Sequence, residues 1–150
     1  MTNEQAKQEA IDIPNYEGLY KVYSDGRVFS CNRKVERGFH GMFISSKRLT
    51  HVIDTNGYPR VMLSKNNKKK KFYIHRLLAD LFIDNPLNKP CVNHKNGIKT
   101  DFSLENLEWC TYQENNIHAF ETGLQKKGKK HHLFGKTGEQ CHNHKNYVKQ

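Results

Sequence analysis

Long apolar runs are missing from this 150-residue chain. The nearest to one, Leu77-Leu78-Ala79-Asp80-Leu81-Phe82-Ile83, is broken by an acid and falls far short of the roughly 20 residues that a bilayer-spanning helix needs. No membrane segment is expected. The opening residues, MTNEQAKQEA, have neither the basic start nor the apolar stretch of a secretory signal, which predicts a cytoplasmic protein. Cysteine is scarce and scattered: Cys31, Cys91, Cys110 and Cys141 form no C-x-x-C pair, so neither a disulfide framework nor a zinc knuckle organises the fold. Hydrophobic content is 35% and mean hydropathy is -0.89, leaving a small core and much surface that must be solvated or bound to something polar. This size excludes a large multidomain enzyme and fits one ordinary domain or two very small ones.

Acidic residues are the other shortage. Only 15 Asp and Glu face 25 Lys and Arg, a net charge of +10, which favours an extended polyanion such as nucleic acid as partner. The imbalance is not spread evenly. Segment 33–76 holds twelve basic against two acidic residues and segment 123–150 seven against one, whereas 77–122 holds three against seven. Two basic segments flank an acidic one, the arrangement expected if separate surfaces grip phosphates while the acidic segment does other work.

The first half reads as short antiparallel strands. Residues 1–13 are polar and predict a loose leader. Alternation through Leu19-Tyr20-Lys21-Val22-Tyr23, a turn at Ser24-Asp25-Gly26 and resumption at Arg27-Val28-Phe29 predict a hairpin. Asn56-Gly57 marks a second turn, between His51-Val52-Ile53 and Tyr58-Pro59-Arg60-Val61-Met62-Leu63, and 65–68 a third, before Lys69-Lys70-Lys71-Phe72-Tyr73-Ile74. From His75 the period becomes helical through Leu77, Leu78, Leu81 and Phe82, stopping before Asn85-Pro86. A brief strand at Cys91-Val92-Asn93-His94, a turn-rich loop, a second strand at Leu107-Glu108-Trp109-Cys110-Thr111 and a helix from about 112 to 121, stopped by Gly123, complete a strand, loop, strand, helix order. The last 28 residues, with seven Lys and four His, predict a flexible basic arm.

This order can bring His94, at a strand end, towards Asn115, one turn into the following helix. Phosphodiester hydrolysis needs a proton acceptor that titrates near neutral pH and a hard cation to neutralise the leaving oxygen. His94 fits the first role, and the amide oxygens of Asn93 and Asn115 suit the second, because Mg2+ takes few protein oxygens and keeps several waters. The plainer alternative for a lone strand-end histidine is a hydrogen bond to its loop.

Val92-Asn93-His94-Lys95-Asn96-Gly97, then Glu105-Asn106-Leu107-Glu108-Trp109, then Asn115-Asn116 resemble the motif of HNH nucleases. Tyr73-Ile74-His75-Arg76-Leu77-Leu78-Ala79 resembles the segment that opens this module in phage homing endonucleases. Ile13-Pro14-Asn15-Tyr16-Glu17-Gly18-Leu19-Tyr20, with Gly26-Arg27-Val28, resembles the small DNA-binding module that precedes it. The resemblance spans about residues 13–122 and implies an α+β chain: a basic β-rich DNA-binding module (13–74), a ββα-metal nuclease module (75–122) and the basic arm (123–150). It implies a catalytic pair of His94 as general base and Asn106 bracing its hairpin, with one divalent cation, Mg2+ or Mn2+, held by Asn93 and Asn115. Position 93 departs from the arrangement with Asp or His there, and two neutral amides bind metal weakly, so a phosphate or another group would complete the site.

For the partner, double-stranded DNA, the candidate contacts are Arg33, Lys34, Arg37, Lys47, Arg48, Arg60, Lys68, Lys69, Lys70 and Lys71, the last four read as a phosphate clamp. His75 and Trp109 are expected to pack. Cys141-His142-Asn143-His144, with His131 and His132, carries zinc-capable side chains at a spacing that fits no finger, and the arm is read as phosphate-binding instead. The expected protein is a monomeric, site-selective DNA endonuclease of a bacterial host's cytoplasm with no obligatory protein partner. The alternatives are a DNA-binding protein on an inactive HNH scaffold and a less selective nuclease.

Overall fold

The computed structural model describes residues 10–35 and 41–124. Arg37, the zinc-capable Cys and His cluster and nearly all of the basic arm lie outside them. The described residues fall into two units, the first ending at Tyr112 and the second beginning at Gln113.

In the first unit, β1 (Ala10–Asp12), β2 (Tyr20–Tyr23), β3 (Val28–Ser30) and β6 (Lys47–Arg48) form an antiparallel sheet in that order. β4 (Arg33–Val35) pairs with β5 (Met42–Ile44), and β7 (Val52–Ile53), β8 (Pro59–Lys65) and β9 (Lys68–Tyr73) make a three-stranded sheet with β8 in the middle. Helix α1 (Ile74–Phe82) follows, then the hairpin β10 (Cys91–His94) and β11 (Leu107–Cys110), with a short 3-10 turn at Leu104–Asn106 leading into β11. In the second unit, α2 (Tyr112–Glu121, starting at the last residue of the first unit) runs to Gly123, whose φ of 72° stops it. The α+β reading agrees with the expectation, as does the order of elements from β7 onwards, whereas β4, β5 and β6 were not expected and Ile74 begins α1 instead of ending a strand. No helix among the described residues is long and apolar enough to cross a membrane.

One expectation fails at the start of the chain. Composition predicts a loose leader through residue 13, yet Ala10–Asp12 pairs with β2, Ile11 opposite Val22 and Asp12 opposite Lys21, and Ile13 is buried in the core. A three-residue edge strand is held by the backbone groups of its neighbour, and no local periodicity announces that.

The hairpins follow from their turn residues. Asn66 and Asn67 adopt φ of 51° and 60°, the doubly left-handed turn that matches strand twist and that asparagine tolerates. Lys68 therefore already belongs to β9, directly opposite Lys65, and the lysine run is an extended strand whose side chains alternate between the two faces of the sheet.

A single core joins what lies before and after position 74. Val22 and Val28 from the first hairpin, Val61 and Leu63 from β8, Ile74, Leu77 and Leu78 from α1, and Leu107 from β11 pack in one cluster with Ile13, Tyr16 and Tyr20. Helix α1 sits where it does because its apolar stripe, Ile74, Leu77 and Leu78, repeats at helical spacing and is fully shielded. Trp109 fastens β11 to the end of this helix, its indole Nε1 donating to the Ile83 carbonyl at 3.0 Å.

The turn of the first hairpin also meets the loop between β10 and β11. Gly26 has φ of 82°, and a Cβ there would stand 2.5 Å from Cε2 of Phe102 and 3.1 Å from Cγ2 of Ile74. Gly26→Ala thus combines left-handed strain with overpacking and should destabilise the protein by about 2–4 kcal/mol. Urea unfolding of the two proteins measures it, and a loss below about 1 kcal/mol would mean that Phe102 can swing away.

Candidate active site

The hairpin sets the geometry. In the β10–β11 register Asn93 lies opposite Glu108 and His94 opposite Leu107. Alternation along the strand places Asn93 and Glu108 on one face of the ribbon and His94 on the other. His94 ends β10, and the loop 95–106 begins directly after it.

That loop is tied from inside. The Asn106 side chain accepts from the Asn96 backbone amide at 3.0 Å through Oδ1, and its Nδ2 donates to Asn96 Oδ1 at 3.0 Å and to the Asp101 carbonyl at 2.7 Å. The Lys95 amide donates to the Asn106 carbonyl, and the Gly97 amide to the His94 carbonyl at 2.8 Å. Ser103 and Asn96 both donate to the Asp101 carboxylate, holding its pKa below the usual range. Asn106 is itself buried, so removing its amide would release three contacts at once.

His94 and Asn93 are both buried, 5% and 7% exposed. The imidazole Nε2 of His94 is shut off from solvent with no hydrogen-bond partner, an uncompensated polar atom that costs free energy unless a substrate or water claims it. Burial lowers the His94 pKa, with Asp101 opposing and Lys99 reinforcing the shift, so the ring is a neutral proton acceptor at neutral pH. Asn93 donates from Nδ2 to Oε1 of Glu108 at 2.9 Å. This orientation is forced, since the amide oxygen would otherwise meet another oxygen, and it leaves Oδ1 as the end that can serve a cation.

His94 has aromatic company from elements well before it. The ring of His75, in α1, lies 5.0 Å away and that of Tyr58 6.0 Å away, while Lys99 stands 4.7 Å above the Tyr58 ring. His75 is 6% exposed, with Nδ1 buried and unpartnered. It packs, as expected, but against the catalytic candidate. Sequence reading placed neither Tyr58 nor Lys99 here; their only local signal is the Asn56-Gly57 turn that carries Tyr58 back towards the hairpin.

Burial, the neighbouring His94 and Arg76 together push the His75 pKa down to about 4, with Asp54 opposing. The unfolded chain binds a proton near 6.5 that the folded protein refuses until about 4. His75 therefore contributes stability in full above pH 6.5, and the contribution is lost as pH falls towards 4. At up to about 1.4 kcal/mol per pH unit, reduced for partial solvation, the loss between pH 6.5 and 4.5 should be of order 2 kcal/mol. Most carboxylates titrate below this window. Unfolding free energies at the two pH values test it; His75→Gln should flatten the profile, and an unchanged slope in that variant would assign the effect elsewhere.

Of the candidate DNA contacts, Lys34 on β4 and Lys47 and Arg48 on β6 are exposed, whereas Arg33 is half-buried, its guanidinium 5.9 Å from the Tyr20 ring. β6 and β9 are both edge strands. Lys68 and Lys70 share a face of β9 with Phe72, the side on which Val61 and Leu63 enter the core; Lys69 and Lys71 share the outer face with Tyr73 and, across the pairing, Arg60. Lys65, Lys68, Lys69 and Lys70 line an open cleft of about 620 Å³ with Tyr16 and Phe72. Arg60 is half-buried, its Nε lacking a partner. Alternation along β9 puts Lys69 and Lys71 on one face and Lys68 and Lys70 on the other, while Lys69 also reaches the cleft that Lys68 and Lys70 line.

Asn115 stands in the first turn of α2, in the second unit. Among the described residues no group of three or more His, Cys, Asp or Glu side chains could hold a metal ion. The donor that the hairpin offers a cation is the Asn93 amide oxygen, a hard oxygen ligand.

Two family descriptions match the chain in succession: the NUMOD4 motif over residues 11–64 and HNH endonuclease over residues 72–117. An uncharacterized HNH endonuclease of Acanthamoeba polyphaga mimivirus is 41% identical over 103 residues, covering 69% of this chain and 28% of that protein. The DNA endonuclease I-HmuI of Bacillus phage SP01 is 36% identical over 104 residues, 69% of this chain and 53% of its own. The H-N-H endonuclease F-TflII of Escherichia phage T5 is 40% identical over 107 residues, 70% of this chain and 49% of its own. A solved structure described as DNA binding and cleavage by the HNH homing endonuclease I-HmuI superimposes with a TM-score of 0.62 at 34% identity, covering 79% of this chain and 62% of that one. The chain spans about half the length of the two phage relatives and 28% of the mimivirus protein.

Proposed function

Because the chain belongs to the HNH endonuclease family, with a NUMOD4 motif ahead of its nuclease module, we propose that it is a site-selective DNA endonuclease hydrolysing phosphodiester bonds in duplex DNA, as homing endonucleases do. The observation that carries this reading is the buried, unpartnered Nε2 of His94 at the end of a strand whose loop is braced by Asn106. His94 takes the proton of the attacking water at Nε2. Asn106 holds the loop geometry and thereby the position of that atom. HNH nucleases generally depend on a divalent cation, and such an ion supplies charge neutralisation at the departing 3′ oxygen. Asn93 would hold Mg2+ or Mn2+ through its amide oxygen, and Asn115 is the second ligand position that the resemblance assigns.

We divide the work along the chain at 13–74 for DNA binding, 75–122 for cleavage and 123–150 for a phosphate-contacting arm. Duplex DNA is held by Lys34, Arg37, Lys47 and Arg48, with Arg33 in support, and by the outer face of the β7–β8–β9 sheet: Lys69, Lys71 and Arg60. That face is favoured because it runs through Tyr73 to His75 and His94, with ring centroids 5.8 Å and 5.0 Å apart. Lys68 and Lys70 make secondary contacts at most. The protein works as a monomer in the cytoplasm of a bacterial host. A supercoiled plasmid containing the target site should be cleaved with Mg2+ or Mn2+ and left intact with EDTA. Binding without cleavage in every metal condition would favour the alternative that Asn93 keeps open, a DNA-binding protein on an inactive HNH scaffold.

A further inference from the structure

The amide at position 93 brings no charge to a cation, and two amides alone hold a divalent ion weakly. The charge is one strand away. Glu108 stands directly across the ribbon from Asn93, and its carboxylate accepts the Asn93 Nδ2 proton at 2.9 Å through Oε1. The bond occupies one carboxylate oxygen and turns the amide so that Oδ1 is its free donor. That bond uses neither Oε2 of Glu108 nor Oδ1 of Asn93, and both are the hard oxygens that Mg2+ and Mn2+ prefer. Asn93 is 7% exposed, so this pair is built into the hairpin and is not a chance surface contact.

Resting on the cleavage reading above, we propose that Glu108 is part of the cation site: its carboxylate supplies the negative charge that Asn93 lacks and either joins Asn93 in ligation or neutralises the ion across the ribbon. A purely structural Glu108 would brace the hairpin just as well as a glutamine, whose side-chain oxygen can accept the same Asn93 proton. That difference makes the proposal separable from bracing.

The test is Mn2+ binding to the full chain, measured by calorimetry or by the loss of free-Mn2+ resonance signal, beside the Mn2+ dependence of cleavage. Glu108→Gln should weaken Mn2+ binding about tenfold or more and raise the half-saturating Mn2+ for cleavage in parallel, while its melting temperature stays near that of the parent. The double variant Asn93→Asp with Glu108→Gln moves the single carboxylate back across the ribbon and should return Mn2+ binding to within about threefold of the parent. Mn2+ binding by Glu108→Gln equal to the parent's would overturn the proposal and leave Glu108 a brace, with the cleavage reading untouched. Absence of any Mn2+-dependent cleavage by the parent would instead sink the cleavage reading, a distinct result.

Discussion

His94→Ala should slow cleavage by about two to four orders of magnitude, the range expected when a positioned general base is lost, while duplex affinity stays within about threefold. The expectation follows from position. His94 is buried at the strand end with an idle Nε2 and belongs to none of the strongly basic stretches that would grip phosphate. Its pKa, lowered by burial, adds a second signature: a base works unprotonated, so the rate should climb with pH and level off at a midpoint below the 6.5 of free histidine. The residual activity of His94→Ala should lack that limb. Single-turnover rates across pH, with His94→Gln as a variant that better fills the space, provide the measurement. Parent-like rates in either folded variant would remove His94 from the chemistry.

The lysine run should behave as two unequal halves. Replacing Lys69 and Lys71 with Gln removes two phosphate partners from the outer face of the sheet, and each lost contact lowers the salt slope of log K by about 0.9 on duplex DNA. The slope should therefore flatten by about 1.8, with affinity near physiological salt falling by a factor of roughly 10 to 50. Replacing Lys68 and Lys70, on the Phe72 side, should change the slope by less than about 0.5. Affinity against salt on one duplex for the three proteins decides it. Equal effects from the two pairs would mean that the DNA meets this strand edge-on, and the reverse order would place the duplex over the cleft beside Tyr16.

Much of this arrangement was legible in the sequence because it is local. The turn at Asp25-Gly26, the helical period of Leu77, Leu78 and Leu81, and the strand-loop-strand spacing that carries His94 and Asn106 each depend on neighbours a few residues away. What escaped depends on pairing between distant segments. Ala10–Asp12 becomes a strand only because β2 offers an open edge. Tyr58, in the loop before β8, and His75, in α1, reach His94 in β10 across separations that sequence spacing does not relate. Glu108 lies within the motif, but its tie to Asn93 needs the register of the hairpin. Which face of β9 each lysine occupies depends on the pairing with β8, and counting charge says nothing about that.

The contact of Phe102 with Gly26, and the core that Val22, Val28, Val61 and Leu63 share with Ile74, Leu78 and Leu107, bear on how the proposed nuclease could be re-targeted. A fragment beginning at residue 75 would carry Leu77, Leu78 and Leu107 with half their packing partners gone, a greasy stump in place of a portable cutting cassette. Grafting this cutter onto a foreign reader would leave an apolar scar at the junction. On the proposed reading, new target preference would come from exchanging side chains on the solvent faces of β6 and β9, so recognition would drift through point changes while reading and cutting are inherited as one block.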